Sequence, residues 1–284
     1  MQTIHHITDM SSLSARWREQ GETSAFVPTM GNLHDGHLSL VRQARDLADH
    51  VVVSIFVNPL QFDRAADLDA YPRTLEADLD ALRAEGVDAA FVPDEQEMYP
   101  HGREAEPPVE VPGLEPLITT LEGEQRPGHF PGVVTVVKKL FDIVAPDVAV
   151  FGEKDFQQLR VIEHMVATLG LPVRVVAGET RREANGLAMS SRNNYLGAAE
   201  REQAGRLHAV LQELRRRLLA DPVADPDALC AEARAELEAA GFRPDYVVVR
   251  RASDLAPAGP QDTDRRILAA AWLGPARLID NIKV

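Results

Sequence analysis

The chain has 284 residues, 45% of them hydrophobic, enough for one large α/β domain and a smaller one. Its 30 Lys plus Arg stand against 44 Asp plus Glu, and the net charge of −14 repels nucleic-acid phosphates, which argues against general DNA or RNA binding. An anionic ligand would therefore need a local cationic pocket set against the overall field.

Ser24 to Val27 reads as a short apolar strand, and Pro28 to Asp35 as a turn-rich loop. Gly36 to His50 has helical spacing, with Leu38, Val41, Leu47 and Ala48 near one face. Val51 to Val57 is a near-continuous β-branched run, the mark of a strand buried on both faces. Thr74 to Glu85 reads as a helix and Asp88 to Val92 as a strand. Pro93 to Pro131 is rich in Pro, Gly and Glu, and a loop of that length inside a domain is usually functional or mobile. Val133 to Val144 resumes as helix, followed by strand Asp147–Phe151, helix Phe156–Leu169 and strand Val173–Ala177. This alternation predicts a parallel, doubly wound α/β sheet.

After about residue 181 the texture changes. Two charged helices are expected near Ala198–Ala220 and Asp225–Ala240, separated by the Pro-containing stretch Asp221–Pro226. Three strands follow, Tyr246–Arg250, Arg266–Trp272 and Ala276–Asp280, in the pattern of a small antiparallel sheet. The expected division is a nucleotide-binding domain over residues 1–181 and a smaller C-terminal α+β domain over 182–284.

No apolar run approaches the roughly 18 residues of a membrane span, and MQTIHHITDM lacks the basic and apolar regions of a signal peptide. A single cysteine, Cys230, has no internal disulfide partner, which fits a reducing cytoplasm. It lies in an Ala/Glu/Arg-rich helical pattern and reads as packing rather than chemistry.

The strongest chemical signal is PTMGNLHDGH, Pro28 to His37, which follows a strand and opens a helix. Free N–H groups and the helix dipole favour phosphate there. Gly31 and Gly36 permit sharp turns, and His34 and His37 could aim two imidazoles at the same oxyanions. A turn with two capping histidines is the plainer alternative. GEKDFQQ, Gly152 to Gln158, follows a strand, where ligands bind in open parallel sheets. Lys154 suits a phosphate and Asp155 a ribose hydroxyl, although a surface Lys–Asp pair is the alternative. MSSRN, Met189 to Asn193, offers two hydroxyls and a guanidinium to a polyphosphate, or else a helix cap. FVNPLQF, Phe56 to Phe62, and RPGHF, Arg126 to Phe130, add uncharged donors, with Asn58 and Gln61 placed to read a hydroxy acid or merely to form a turn. Together these segments supply His34, His37, Lys154 and Arg192 as a local positive set.

PTMGNLHDGH, SIFVNPLQF, YPRTLEAD, RPGHF, GEKDFQQL, GLAMSSRN and AAWLGPARLIDN stand in the order seen in pantothenate synthetases, and the resemblance covers nearly the whole chain. It implies a Rossmann-like domain, a smaller C-terminal lid and a homodimer. The implied reaction is ATP-dependent condensation of pantoate with β-alanine through a pantoyl-adenylate, with AMP and pyrophosphate released. ATP is implied as substrate, with Mg2+. By motif, His34 and His37 would contact the ATP phosphates, His37 being the usual catalytic acid, with Lys154 and Arg192 beside them. Met30, Gly31, Asn32, Leu33, Asp35 and Gly36, then Gly152, Glu153, Lys154 and Asp155, would line the ATP site. Met189, Ser190, Ser191 and Arg192 would close over its phosphates, and Arg181 would stand where main chain meets adenine. Gln61 and Gln158, with Met30 and Asn58, would hold pantoate, and Gln61 would also lie near β-alanine. Asp78 would neighbour the magnesium.

Two departures stand out: Pro131 follows RPGHF where many relatives carry Arg, and Glu183-Ala184-Asn185 replaces a more usual acidic stretch. The rival readings are another nucleotidyl transferase with the same His-x-Gly-His logic, an aminoacyl-tRNA synthetase, and a non-catalytic nucleotide-binding module. The acidic surface and the lack of room for an anticodon-binding domain oppose the second. The third has little use for both histidines and Lys154.

Overall fold

The computed structural model describes residues 1–62, 65–221, 223–259 and 261–284. The chain forms two compact units, residues 1–153 with 158–178, and residues 154–157 with 179–284. The first passes out of the sheet strand at Gly178, and Lys154–Gln157 groups with the later unit.

The first unit is built on six parallel strands: β1 Gln2–Ile4, β2 Ser24–Thr29, β3 His50–Ile55, β4 Ala89–Phe91, β5 Val148–Gly152 and β6 Arg174–Gly178. Their order across the sheet is β1-β4-β3-β2-β5-β6. The chain leaves β2 toward β3 on one side and later returns as β5 on the other. The carboxyl ends of β2 and β5 therefore flank the topological switch point, where such sheets bind ligands. Alternation sends successive side chains of a strand to opposite faces. Ala25, Val27, Val51, Val53 and Ile55 form one buried cluster with Val41 and Ala44 of helix Asp35–Arg45 and Leu79 and Leu82 of helix Leu75–Ala84. Phe26 points the other way, its ring 6.4 Å from that of Phe141 in helix His129–Val144. Helices on both faces follow from strands apolar on both sides.

Strand β2 runs two residues beyond the expected end at Val27. β2 pairs with β5 only at Ala25 and Phe26, so the N–H that Pro28 lacks falls past the end of that ladder. Strand β1 and helix Ile7–Glu19 are additional to the expected elements, the helix burying Met10, Leu13, Ser14 and Trp17. The stretch from Pro93 to Pro131 is not a bare loop: it holds helical turns at Glu95–Met98, Glu115–Ile118 and Glu122–Gln125, and helix His129–Val144 begins inside it.

The second unit carries an antiparallel sheet, β7 Arg243–Arg251, β8 Arg265–Leu273 and β9 Ala276–Lys283, in that order. Leu207, Val210, Leu211, Leu214 and Leu218 of helix Arg206–Ala220, with Leu229, Ala233 and Leu237 of helix Pro226–Ala239, pack with the sheet residues Val247, Ile267, Ala269 and Leu278. Cys230 joins the same cluster, and burial pushes its thiol up to about 12, which disfavours the thiolate and fits a packing role. The expected long helix Ala198–Ala220 is two, Ala198–Ala204 and Arg206–Ala220. At Gly205 a Cβ would run into the Asn185 main chain, and the axis breaks there. Within the separator Asp221–Pro226, Pro222 lies outside the described residues. Among the described residues no helix is long and apolar enough to cross a membrane.

Candidate active site

In the first unit the site begins where β2 ends. The Thr29 hydroxyl donates to Ser54 O across to β3 (2.7 Å) and accepts the Gly31 N–H (3.2 Å). The chain then turns through two left-handed residues, Gly31 (φ 79°) and Asn32 (φ 50°). Only glycine takes the first position readily, because a Cβ would press on Asp78 Oδ2 at 3.0 Å and on Ile55 at 3.1 Å. Asp78 is the reason the turn holds. Its carboxylate, 3% exposed, accepts the N–H groups of Asn32 (2.9 Å) and Leu33 (2.8 Å), and the Thr74 hydroxyl donates to it at 3.1–3.2 Å. Two carboxylate oxygens have lone pairs enough for all three donors.

Helix Asp35–Arg45 follows directly, so its unsatisfied N–H groups open at the sheet's carboxyl edge. His34 and His37 meet there, ring centroids 4.0 Å apart and planes tilted 32°. The His34 N–H donates to His37 Nδ1 (3.4 Å). A main-chain N–H can only donate, so Nδ1 is the lone-pair nitrogen, and a neutral His37 carries its proton on Nε2. Asp35 is exposed and pairs with Arg42 at 2.9 Å, a contact that braces the first helical turn.

Past β3 the chain reaches a single helical turn, Pro59–Gln61, capped by Asn58, whose side chain accepts the Leu60 N–H (3.3 Å). Asn58 is 1% exposed; it donates to Gln61 Oε1 (3.0 Å) and to Gly132 O (3.2 Å), and accepts from the Tyr99 hydroxyl (2.7 Å). The RPGHF segment clamps the same turn. Arg126 (3.2 Å) and His129 Nδ1 (3.0 Å) both donate to Gln61 O, and Gly132 lies so close to Leu60 O that a Cβ has no room. Sequence reasoning gave Asn58 and Gln61 but missed Tyr99, which lies 41 residues from Asn58. Met30 is half-buried at the end of the β2 loop, and Gln158 is half-buried on helix Phe156–Leu169. Gly152 ends β5, and Glu153 opens the single turn that follows.

In the second unit Lys154 lies 3.5 Å from Asp155. Its carbonyl accepts from the Asn281 side chain (2.9 Å), and the Asn281 oxygen accepts in turn from Arg266 (2.8 Å). The Arg266 guanidinium sits 3.9 Å over the Phe156 ring. The closing residues of AAWLGPARLIDN thus hold the lysine segment, a role that spacing alone did not reveal. Arg181 and Met189 face each other across a small hairpin: Met189 N–H donates to Arg181 O (2.9 Å), Arg182 bridges Ala188, and Gly186 turns at φ 93°. The departure at 183–185 proves structural. Glu183 binds Arg201 through two 2.8 Å bonds and accepts from Asn193 (2.9 Å), while Asn185 caps the end of Ala198–Ala204 through Arg201 O (2.8 Å). Asn193 also donates to Ala188 O (3.1 Å), closing the MSSRN turn. Ser190 caps that turn at Arg192 N–H (3.3 Å), leaving Arg192 exposed and without an ion-pair partner among the described residues.

Beneath the hairpin Asp280, 3% exposed, takes a two-pronged bond from Arg182 (2.6 and 2.8 Å), with His208 at 3.4 Å. Burial opposes its ionisation, but the bonds from His208 and Arg182 outweigh it, and the carboxyl titrates below its ordinary range. Among the described residues no group of three or more His, Cys, Asp or Glu could hold a metal ion.

The structure therefore brings His34 to His37, Asn58 to Gln61, Lys154 to Asp155, and Arg181 to Met189. The histidine pair and the Lys154–Asp155 pair were expected from their spacing; the Asn58–Gln61 bond and the Arg181–Met189 hairpin were not.

Comparison with known proteins meets these motifs along the full chain. The family model for pantoate-beta-alanine ligase matches residues 2–283. The pantothenate synthetase of Thioalkalivibrio sulfidiphilus is 58% identical over 284 residues, covering 100% of this chain and 98% of that protein. Among solved structures, the pantothenate synthetase of Thermus thermophilus superposes with a TM-score of 0.90 at 42% identity, covering 100% of this chain and 99% of that one. The pantoate-beta-alanine ligase of Francisella tularensis, complexed with beta-gamma ATP and beta-alanine, gives 0.81 at 34% identity, covering 100% and 97%. A doubly wound sheet with a His-x-Gly-His helix start, joined to a small antiparallel sheet and matched end to end at this identity, leaves one assignment: the chain belongs to the pantoate-beta-alanine ligase family.

Proposed function

We propose that this chain joins pantoate to β-alanine in two steps, using ATP and passing through a pantoyl-adenylate. The observation that carries the reading is the paired imidazoles of His34 and His37 at a helix start on the sheet's switch point. Family membership supplies the substrates.

Pantoate is a carboxylate and already nucleophilic at neutral pH, so adenylation needs no general base. Its oxygen attacks the α-phosphorus of ATP in line, the bond to the bridging oxygen breaks, and pyrophosphate leaves. The obstacle is charge, because an anion approaches a polyanion. The free N–H groups of helix Asp35–Arg45 and the two histidines bind phosphoryl oxygens, where donors aimed at developing charge act most strongly. His37, with its proton on Nε2, donates toward the leaving phosphate. Lys154 and Arg192 are assigned to the same phosphates as mobile cations, Arg192 because nothing else among the described residues neutralises it. Gly31, Asn32 and Leu33 give the backbone its close approach, and the hairpin Arg181–Met189 presents main chain to the base.

Magnesium bound to ATP would further reduce the phosphate charge. Asp78 already serves the Asn32 and Leu33 N–H groups, so any contact with that ion would be added to these bonds. Gln61 and Gln158 hold pantoate through neutral donors, which suits a hydroxy acid better than a phosphate. In the second step the neutral amine of β-alanine attacks the activated carbonyl and AMP departs. The mixed anhydride must be kept from water meanwhile, and we assign part of that task to the 113–131 segment. A cytoplasmic homodimer is part of the same reading, and light scattering at a mass other than two chains would correct it.

The test is pyrophosphate–ATP exchange with β-alanine omitted. Exchange that appears only with pantoate, followed by AMP release on adding β-alanine, is the expected result. Exchange without pantoate, or with a phosphorylated acceptor instead, would overturn the reading.

A further inference from the structure

The Asn58 side chain can be oriented without assumption. Its Oδ1 receives the Leu60 N–H at 3.3 Å, and a main-chain N–H can only donate. Its Nδ2 lies 3.2 Å from Gly132 O, and a carbonyl can only accept. Both ends therefore agree, and the Tyr99 hydroxyl, 2.7 Å from Oδ1, must donate. Tyr99 is 2% exposed, and burial, with Glu106 and Glu95 nearby, pushes its phenol well above the ordinary range, so the proton stays on oxygen. The Lys139 ammonium sits 5.1 Å over the ring, itself held by Glu106 at 2.8 Å.

The polarity propagates one step further. Asn58 Nδ2 also donates to Gln61 at 3.0 Å, so the Gln61 atom there is its oxygen. That leaves the Gln61 NH2 group, which has no partner among the described residues. The Gln61 main chain is held separately, by Arg126 and His129 on its carbonyl. Backbone position and side-chain polarity are thus set by different residues.

We propose that Tyr99 is a positioning residue: through Asn58 its hydroxyl fixes the Gln61 amide so that two N–H donors, not the carbonyl, face the substrate acid. This rests on the assignment of Gln61 to the pantoate subsite. Two donors match a carboxylate or hydroxyl oxygen. Tyr99→Phe removes one oxygen and keeps the ring.

The experiment is a double-mutant cycle on adenylation, measured as pantoate-dependent exchange in Tyr99→Phe, Gln61→Ala and the double variant. Tyr99→Phe is expected to raise the pantoate KM by roughly tenfold, the size of one buried hydrogen bond, with the ATP KM unmoved. In the Gln61→Ala background the same change should have almost no effect. Equal effects in both backgrounds, or none in either, would overturn the proposal. The 15N–1H signals of the Gln61 side chain give a readout independent of turnover. They are expected to shift or broaden in Tyr99→Phe and Asn58→Asp, both checked for native unfolding midpoints, and unmoved signals would overturn the relay even if the enzyme proves to use another acid. Failure of wild-type exchange with pantoate would instead fall on the assigned substrate.

Discussion

The histidine turn of the first unit and the Arg181–Arg192 hairpin of the second are held in different ways. Asp78 reaches 45 and 46 residues back to grip main-chain N–H groups, so the turn is shaped through its backbone. The hairpin instead stands on ion pairs between side chains: Arg182 with Asp280, and Arg201 with Glu183. Main-chain donors have fixed positions, and a carboxylate bound to them defines a loop closely. Charged side chains span longer gaps but depend on the state of both partners. The contrast suits the proposed work, in which the helix start presents a rigid set of N–H groups and Arg192 is left free to move onto a ligand.

The sharpest way to break this contrast is to remove Asp280. Asp280→Ala leaves the Arg182 guanidinium facing a buried gap, and breaking a buried pair costs about 3–5 kcal/mol. Urea unfolding should record that loss, and an unchanged midpoint would mean that the hairpin stands without its ion pair. The same carboxyl sets a sign for pH. Its folded pKa is depressed below the ordinary 3.8, so its contribution is present above that value and disappears as pH falls further, through the folded pKa. The opposite trend for wild type minus Asp280→Ala would refute the assignment.

His37→Ala should come next in size. Loss of one such donor typically costs about 2.7–4 kcal/mol of barrier, so adenylation should fall by at least ~100-fold while circular dichroism stays native. Full activity in the folded variant would take His37 out of the mechanism. Asp78→Asn sharpens the comparison from the other side. It sets an NH2 group against main-chain donors, at a cost of about 1–3 kcal/mol. The variant should also lose adenylation activity, since the histidines ride on that turn; full activity would show that the turn shapes itself. Glu183→Gln should matter least, by about 0–1 kcal/mol, because its Arg201 partner is half exposed. Its effect should shrink further in high salt, and a large effect insensitive to salt would place Glu183 with Asp280.

Much of this was legible beforehand. Strand β3 announces itself as a β-branched run and β2 and β5 as short apolar ones, and the motifs fall at their carboxyl ends because period and punctuation agree there. Helix Ile7–Glu19 carried a signal too, since Met10, Leu13, Ser14 and Trp17 recur at helical spacing, but its mixed polar composition concealed it. The turns within 93–131 are four residues long, shorter than one period can reveal. Asp78 read as a companion of magnesium, whereas its visible bonds are to Asn32, Leu33 and Thr74. Such roles are set by contacts across tens of residues, as with Tyr99 on Asn58, and no local pattern encodes them.

The bond from Asn281 to Lys154 O spans 127 residues. On a ribosome, all six strands of the parallel sheet are made by residue 178, yet Asn281, which holds Lys154 O, arrives only with the last strand. A nascent chain halted between those points would own its paired histidines and lack the Asn281 bond to Lys154. On the role proposed for Lys154, synthesis order alone would leave an unfinished chain short of one phosphate cation.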